Sequence, residues 1–403
     1  MEVIVKFSKI FTIFLLIFLF ISNTNFSLSI NDNSEKPVLN SRAAIVIDRN
    51  SKTILFGKNE NEKRKMASTT KIMTAIIVIE HSDLSQLVSV SSKAAGTGGS
   101  RLGLHTNDKI SIENLLYGLL LCSGNDAAVA LAETIAGDLP NFAQLMNNKA
   151  SELGLVSTHF ITPHGLDNDE HYTTAYELAL IADYALQNDT FMKIVGSQSH
   201  TITINNYPKN ISNTNELLGY LEGVYGVKTG FTNGANRCLV TSVKRGNIDI
   251  ICVVLGADTK KDRTKDSISL INYIYNNFES INIKEKILSE FNNWKLCNNA
   301  SFNVEKGISN NLNIVLEDLN FEYLPIKRSE FDNCCIYIYC DNNFQAPLLK
   351  DSIIGYLTVS INDKNIISLN ILNNSTIKKM DTKAFLFNMI QNYTYCLESI
   401  FFR

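Results

Sequence analysis

Charge of one sign is what this chain lacks first. Its 37 lysines and arginines stand against 40 aspartates and glutamates, a net charge of −3, and the lysines are scattered without a basic block. That excludes any global attraction to nucleic acid or to an anionic surface. Cysteine is sparse as well: eight in 403 residues are too few and too dispersed for a disulfide framework. Cys334, Cys335 and Cys340 cluster, yet no matching His or Cys pair gives them zinc-ligand spacing. They read as structural, with room for one local disulfide. His159 and His171 are too irregularly spaced for a metal site, and His164, in a turn between Pro163 and Gly165, invites a catalytic reading but reads as a structural hydrogen-bonding group. Neither a metal nor a cofactor is expected. Apolar residues are plentiful: 45% hydrophobic content suffices for a sizeable core in two or three domains.

Composition divides the chain. Lys6 and Lys9 precede the apolar run Ile10 to Ile21, and a polar tail ends in Ser27-Leu28-Ser29. The run is shorter than the roughly 20 apolar residues of a membrane span, so residues 1–29 read as a signal peptide, with an uncleaved anchor as the alternative. Either way the chain is expected outside the cytoplasm. Ala43 to Asp48 and Thr53 to Phe56 read as a hairpin. Ser92 to Asp108 is a glycine-rich loop of a length that suits the flank of a cleft. Two apolar helices, Glu113 to Leu121 and Asp126 to Ala136, are interrupted at Cys122-Ser123-Gly124-Asn125, which puts the break inside the fold. Further helices are predicted over Phe142 to Leu153, Thr174 to Leu186 and Asp266 to Phe278. An antiparallel meander is predicted over Val224 to Thr229, Arg237 to Val243 and Ile248 to Leu255.

From about 282 to 376 the chain turns to short alternating runs rich in Asn, Ile and Tyr, the pattern of a separate small β-domain. Thr382 to Phe402 then predicts a helix with Asn388, Gln391, Asn392 and Ser399 on one side. Phe385, Leu386, Phe387, Met389, Ile390, Leu397, Ile400, Phe401 and Phe402 cover the remainder. Such a helix suits a membrane interface, or packs on the β-domain.

Three short motifs carry the chemistry. Ser68-x-x-Lys71 opens an apolar helix and sets a hydroxyl and an amine three residues apart, within reach of one another on one face. An amine can act as a base only if burial or a second cation lowers its pKa. Alone the pattern is weak, since Ser375-Thr376-Ile377-Lys378 repeats it in a polar stretch. Ser123-Gly124-Asn125 sits at the helix break and Lys228-Thr229-Gly230 at the end of a β-run. Their order, spacing and context form the signature of penicillin-interacting serine enzymes.

With these motifs, and with His164-Gly165-Leu166-Asp167 between them, the chain resembles the low-molecular-mass penicillin-binding proteins. More narrowly, it is similar to secreted serine-type D-alanyl-D-alanine carboxypeptidases of peptidase family S11. The resemblance implies an α+β, penicillin-binding/β-lactamase-like transpeptidase fold over residues 37–279, a small all-β domain over 282–376 and an amphipathic membrane-anchoring helix over 380–403. It also implies removal of the terminal D-alanine from peptidoglycan stem peptides, and covalent inhibition by β-lactam antibiotics. Ser68 would be the nucleophile, Lys71 its base, with its pKa lowered by burial and Lys228, and Ser123 a proton relay to the leaving nitrogen. Asn125 would hydrogen-bond Lys71 and the substrate amide. The backbone N–H groups of Ser68 and Phe231 would form the oxyanion hole. Lys228, Thr229 and Arg263 would hold the terminal carboxylate, and Gly230 would let the substrate lie along the strand. Phe231 departs from the histidine frequent in relatives, so an altered rate or preference is expected. The implied location is the extracytoplasmic face of the cell membrane.

Two other readings compete. A serine β-lactamase would need a Glu-x-x-Leu-Asn-type segment to position a deacylating water, and no such segment is found. An inactive wall-binding relative is disfavoured because every motif residue is present.

Overall fold

The computed structural model describes residues 36–298, 302–309 and 312–401. The predicted signal peptide over 1–29 and the end of the predicted terminal helix at Phe402 lie outside the described residues. The predicted hairpin forms β1 (Ala43–Asp48) and β2 (Ile54–Lys58), antiparallel partners. β1 is buried throughout because its residues alternate between two cores. Ala43, Ile45 and Ile47 face the helices, whereas Ala44 and Val46 face the opposite layer. An antiparallel strand covered on both faces loses its polar alternation.

A 3₁₀ turn, Ala67–Thr70, leads directly into α1 (Lys71–His81), whose first eight residues are all buried. Such a helix has no solvent face until its last turn. The hairpin pair β3 (Leu87–Ser89) and β4 (Lys109–Ser111) brackets the glycine-rich segment, which contains the short helix α2 (Ser92–Ala95), capped by the Ser91 hydroxyl. α3 (Ile112–Leu120) and α4 (Asn125–Ala136) are the predicted interrupted pair. Buried Ala127, Ala128, Ala130 and Ala132 leave little side chain between α4 and its neighbours, which include α1. α5 (Leu139–Glu152) and α6 (Ala175–Ala185) complete the predicted set on this side. Periodicity missed α7 (Asp189–Val195) and the hairpin of β5 (Ser199–Ile204) with β6 (Tyr207–Ser212). The helix is only seven residues long, and the only buried residue of β6 is Ile211, so neither produces a pattern.

The meander forms as β7 (Val224–Thr232), β8 (Asn236–Arg245) and β9 (Ile248–Ala257), giving the sheet order β2-β1-β9-β8-β7. β9 lies at the centre and is buried along all ten residues. β7 is the edge, with the Ala67–Thr70 turn packed on it. α8 (Lys260–Asn277) covers the other face, with Leu270, Ile271 and Ile274 in a core shared with Val243, Ile250 and Val254. It starts before the predicted Asp266 because its first turns are charged and carry no apolar signal, while Thr259 caps it by accepting from the Asp262 N–H.

β10 (Phe278–Asn282) is followed by α9 (Ile283–Asn298), a correction to the reading of 282–376 as short strands throughout. Ile283, Ile287 and Phe291 recur every four residues and are the buried face of this helix, a period obscured by the Asn- and Lys-rich positions between them. Strands dominate the rest: β11 (Asn303–Glu305), β12 (Ile314–Leu316), β13 (Tyr323–Lys327), β14 (Cys334–Cys340), β15 (Asn343–Gln345), β16 (Ile353–Ile361) and β17 (Lys364–Asn373). They form a sheet in the order β12-β17-β16-β14 and the pairs β10-β13 and β11-β15. This part has its own core, in which Ile287 and Phe291 meet Leu324, Leu357, Val359 and Ile371. Cys334, Cys335 and Cys340 are free thiols. α10 (Thr382–Phe401) leaves Phe385, Leu386, Phe387, Met389, Ile390 and Tyr393 exposed. Among the described residues no helix is long and apolar enough to cross a membrane.

Candidate active site

Ser68 lies in the 3₁₀ turn and not in the α-helix expected of it, with Lys71 as the first α-helical residue. The tighter winding helps: in a 3₁₀ turn residues i and i+3 eclipse one another, so the amine stands over the hydroxyl. Lys71 is fully buried, and its Nζ lies 2.9 Å from Ser68 Oγ, 2.7 Å from Asn125 Oδ1 and 2.8 Å from the His164 carbonyl oxygen. Burial first, and then the charge of Lys228, push the Lys71 pKa well below its usual value.

Asn125, the first residue of α4, is held from two sides. Its Nδ2 donates to the Gly98 carbonyl at 2.7 Å, and its backbone N–H donates to the Ser100 carbonyl at 2.8 Å. The glycine-rich loop therefore lies against the site. A Cβ on Gly99, whose φ is +84°, would come within 2.6 Å of Asn125 Nδ2. Asp126, which sequence reasoning missed, fixes the same loop by accepting the N–H groups of Leu102, Gly103 and Leu104 at 2.7, 2.7 and 3.0 Å. Three successive donors converging on one buried carboxylate are not visible in any short motif.

Ser123 occupies the break between α3 and α4 with φ +63°, a conformation costly for a residue with a Cβ. Its Oγ is buried, has no hydrogen-bond partner among the described residues, and lines the cleft. From β7, Lys228 is buried with its Nζ 3.1 Å from the Thr229 carbonyl. Burial, with a further contribution from Arg263, lowers the Lys228 pKa to about 7. Thr229 Oγ1 is 2.8 Å from Thr214 Oγ1. Phe231 is half-exposed on the rim.

Gly230 also has a packing role within the fold. A Cβ there would stand 3.1 Å from the Ser68 nitrogen and 3.1 Å from the Met66 carbonyl oxygen. The missing side chain makes room for the nucleophile turn, which is why that turn can sit on the edge strand. Arg263, near the start of α8, is buried and pairs with Glu216 at 2.9 Å, while Lys260 holds the other Glu216 oxygen at 2.5 Å. Ser68, Ser123, Thr229, Gly230, Phe231 and Arg263 thus line one cleft of about 450 Å³, with Lys71, Asn125 and Lys228 packed behind it. Glu216, Arg237 and Thr214 also line it and went unread, since none belongs to a motif.

His164 contributes its carbonyl to Lys71, while its ring Nδ1 accepts from the Leu166 N–H at 3.2 Å. Burial, then Lys71, lower the ring's pKa to about 3, so it stays neutral, as a structural group would. His171 lies behind the turn, with Nδ1 accepting from the Ile161 N–H and Nε2 2.8 Å from Thr70 Oγ1. Among the described residues no grouping of His, Cys, Asp and Glu could hold a metal ion. The second Ser-x-x-Lys, from Ser375, forms no helix, and its Ile377 bridges Leu348 in the β-rich part.

Comparison with known proteins agrees with this geometry. The D-alanyl-D-alanine carboxypeptidase family matches residues 31–259. The D-alanyl-D-alanine carboxypeptidase DacF of Bacillus subtilis is 32% identical over 324 residues, 79% of this chain and 81% of that protein. The D-alanyl-D-alanine carboxypeptidase DacA of Haemophilus influenzae is 31% identical over 370 residues, covering 87% and 90%. The crystal structure of penicillin binding protein 5 from Haemophilus influenzae superposes with a TM-score of 0.72 at 28% identity, covering 86% of this chain and 99% of that one. With the three motifs assembled on the fold of these relatives, the chain belongs to the D-alanyl-D-alanine carboxypeptidase family and is a serine-type hydrolase of that activity.

Proposed function

We propose that Ser68 is the acylated nucleophile and Lys71, as a neutral amine, its general base, acting on the D-alanyl-D-alanine end of a peptidoglycan stem peptide. One observation carries the assignment: Lys71 Nζ is fully buried and lies 2.9 Å from Ser68 Oγ, with carbonyl oxygens as its other two partners. A neutral amine has two N–H donors and one lone pair. The carbonyl oxygens of Asn125 and His164 take the two donors, and neither can give a proton back. In that neutral state the lone pair faces Ser68 Oγ, which lies 2.9 Å away. The depressed pKa of the amine supports the same state.

In the reaction Ser68 Oγ bonds to the carbonyl carbon of the penultimate D-alanine as its proton passes to Lys71. The oxyanion is received by the N–H groups of Ser68 and Phe231. The C–N bond breaks, and the Ser123 hydroxyl, which has no partner among the described residues, donates its proton to the departing D-alanine nitrogen while taking the proton held by Lys71, which becomes a neutral amine again. Water then cleaves the ester, with Lys71 taking its proton, and Ser68 is restored. Lys228, Thr229 and Arg263 hold the terminal carboxylate. A β-lactam acylates the same oxygen, and its tethered leaving group slows release. Purified protein incubated with a diacylated Lys-D-Ala-D-Ala tripeptide should liberate D-alanine, and Ser68→Ala should liberate none. Equal release from both proteins would refute the assignment.

The protein acts, in this proposal, at the outer face of the cell membrane. A signal peptide over 1–29 exports it and α10 rests in the lipid interface through Phe385, Leu386, Phe387, Met389 and Ile390, whose exposure supports that placement.

A further inference from the structure

We propose that Arg237, a residue outside every motif, is a second guanidinium of the carboxylate seat and sets the preference for substrates that end in a free carboxylate. This rests on the reading of the Ser68 cleft given above. Arg237 stands opposite Phe231 across β7 and β8, and its guanidinium carbon lies 3.6 Å from the Phe231 ring centroid. Stacking covers one face of the planar group with apolar surface but leaves its in-plane N–H donors available. The residue lines the same cleft as Ser68, Ser123 and Thr229.

The charges around the cleft single it out. Beyond Thr229 the lining holds three cations, Arg237, Lys260 and Arg263, against one anion, Glu216. Glu216 is already engaged by Arg263 and Lys260. Among the described residues no carboxylate lies within ion-pair distance of Arg237, whose contact is the Phe231 ring. Arg237 is also close enough to Arg263 to add, after burial, to the lowering of its pKa. An incoming carboxylate between the two guanidiniums relieves that repulsion and gives Arg237 the partner it lacks. Phe231 then has a task as the platform that aims Arg237, which accounts for an aromatic ring without polar atoms at this position.

The test compares a diacylated Lys-D-Ala-D-Ala tripeptide with its C-terminal amide in wild type, Arg237→Gln, Arg237→Lys and Phe231→Ala. In Arg237→Gln the KM for the acid is expected to rise about tenfold or more, as for loss of a charge-assisted hydrogen bond, with kcat little changed and the amide unaffected. Arg237→Lys should recover part of the loss, and Phe231→Ala should shift the acid-to-amide ratio the same way by less. A ratio in Arg237→Gln equal to that of wild type overturns the assignment. So does a parallel loss on both substrates with a lowered Tm, the mark of a structural role. Should wild type release no D-alanine from the acid, the reading of the cleft fails and takes the assignment with it.

Discussion

The backbone of Gly165 packs so closely on the nucleophile turn that a Cβ there would stand 1.9 Å from the carbonyl oxygen of Ala67. Gly165 also has φ +82°, a conformation that residues with a Cβ rarely adopt. This contact seats the 164–165 loop under Ser68 and brings the His164 carbonyl to Lys71. Gly165→Ala is expected to cost a few kcal/mol of stability, in the range of an overpacked core site, and to depress acylation by penicillin at least as strongly as stability. Chemical denaturation and the rate of labelling with a fluorescent penicillin check this together. A variant with normal labelling would show that the contact is not needed.

Gly230→Ala should separate geometry from stability. Its new Cβ presses on the Ser68 nitrogen and the Met66 carbonyl oxygen, each 3.1 Å away, and on the Ala67 Cβ at 3.2 Å, so the turn shifts by a few tenths of an ångström. Loss of an aligned oxyanion donor costs about 10²–10³ in kcat in comparable sites. The expected result is a fall in kcat of about that size with little change in Tm. A fall in Tm without a fall in kcat would contradict it.

The pKa of Lys228 ties activity and stability to pH with opposite signs. In the empty site it titrates near 7, so its positive charge, and with it carboxylate binding, is lost as pH rises through that value. The kcat/KM profile, which reports the free enzyme, should therefore fall on its alkaline side near pH 7. In Lys228→Arg, whose guanidinium stays charged, that limb should move above pH 9, roughly the limit of the assay range. For stability the sign reverses. Between about 7 and the ordinary lysine value of about 10.4 the unfolded chain holds a proton that the fold does not, so Lys228 favours the fold more as pH rises. Lys228→Met should thus raise Tm at pH 7 while lowering activity, measured by calorimetry and D-alanine release. A lowered Tm would show that the buried amine is better satisfied than its 3.1 Å contact with Thr229 suggests.

Membrane attachment by α10 should be apolar in character. The segment Thr382–Phe401 contains only Lys383 as a cation, so binding to lipid vesicles should change little with salt. The mature chain is expected to float with vesicles, and a chain ending at Asp381 to remain behind with full D-alanine release. Flotation of the shortened chain would place the lipid contact elsewhere.

What was legible in the sequence follows from how each feature is encoded. β1, β9 and α1 were readable because burial on all sides leaves an unbroken apolar run. The Ser68, Ser123 and Lys228 motifs were readable because the chemistry needs particular side chains at short spacing, and the fold brings them into one cleft. Features that rest on one residue's tertiary contact were not. Asp126 gathers three N–H groups from a loop more than 20 residues earlier in the chain, and Glu216 meets α8 from 47 residues away. The helix Ile283–Asn298 was hidden for a different reason: its three buried positions are diluted among Asn and Lys.

The central claim is that Lys71 is uncharged in the resting enzyme. Single-turnover acylation of Ser68 by a fluorescent penicillin, followed as a function of pH, tests it most directly. If the amine is already neutral, the acylation rate at saturating penicillin shows no climb with pH on the alkaline side, and Lys71→Met loses about 10³-fold or more, in line with removal of a positioned base. A wild-type rate that climbs tenfold per pH unit from 7 to 9, as for an amine with its ordinary pKa, would contradict the account.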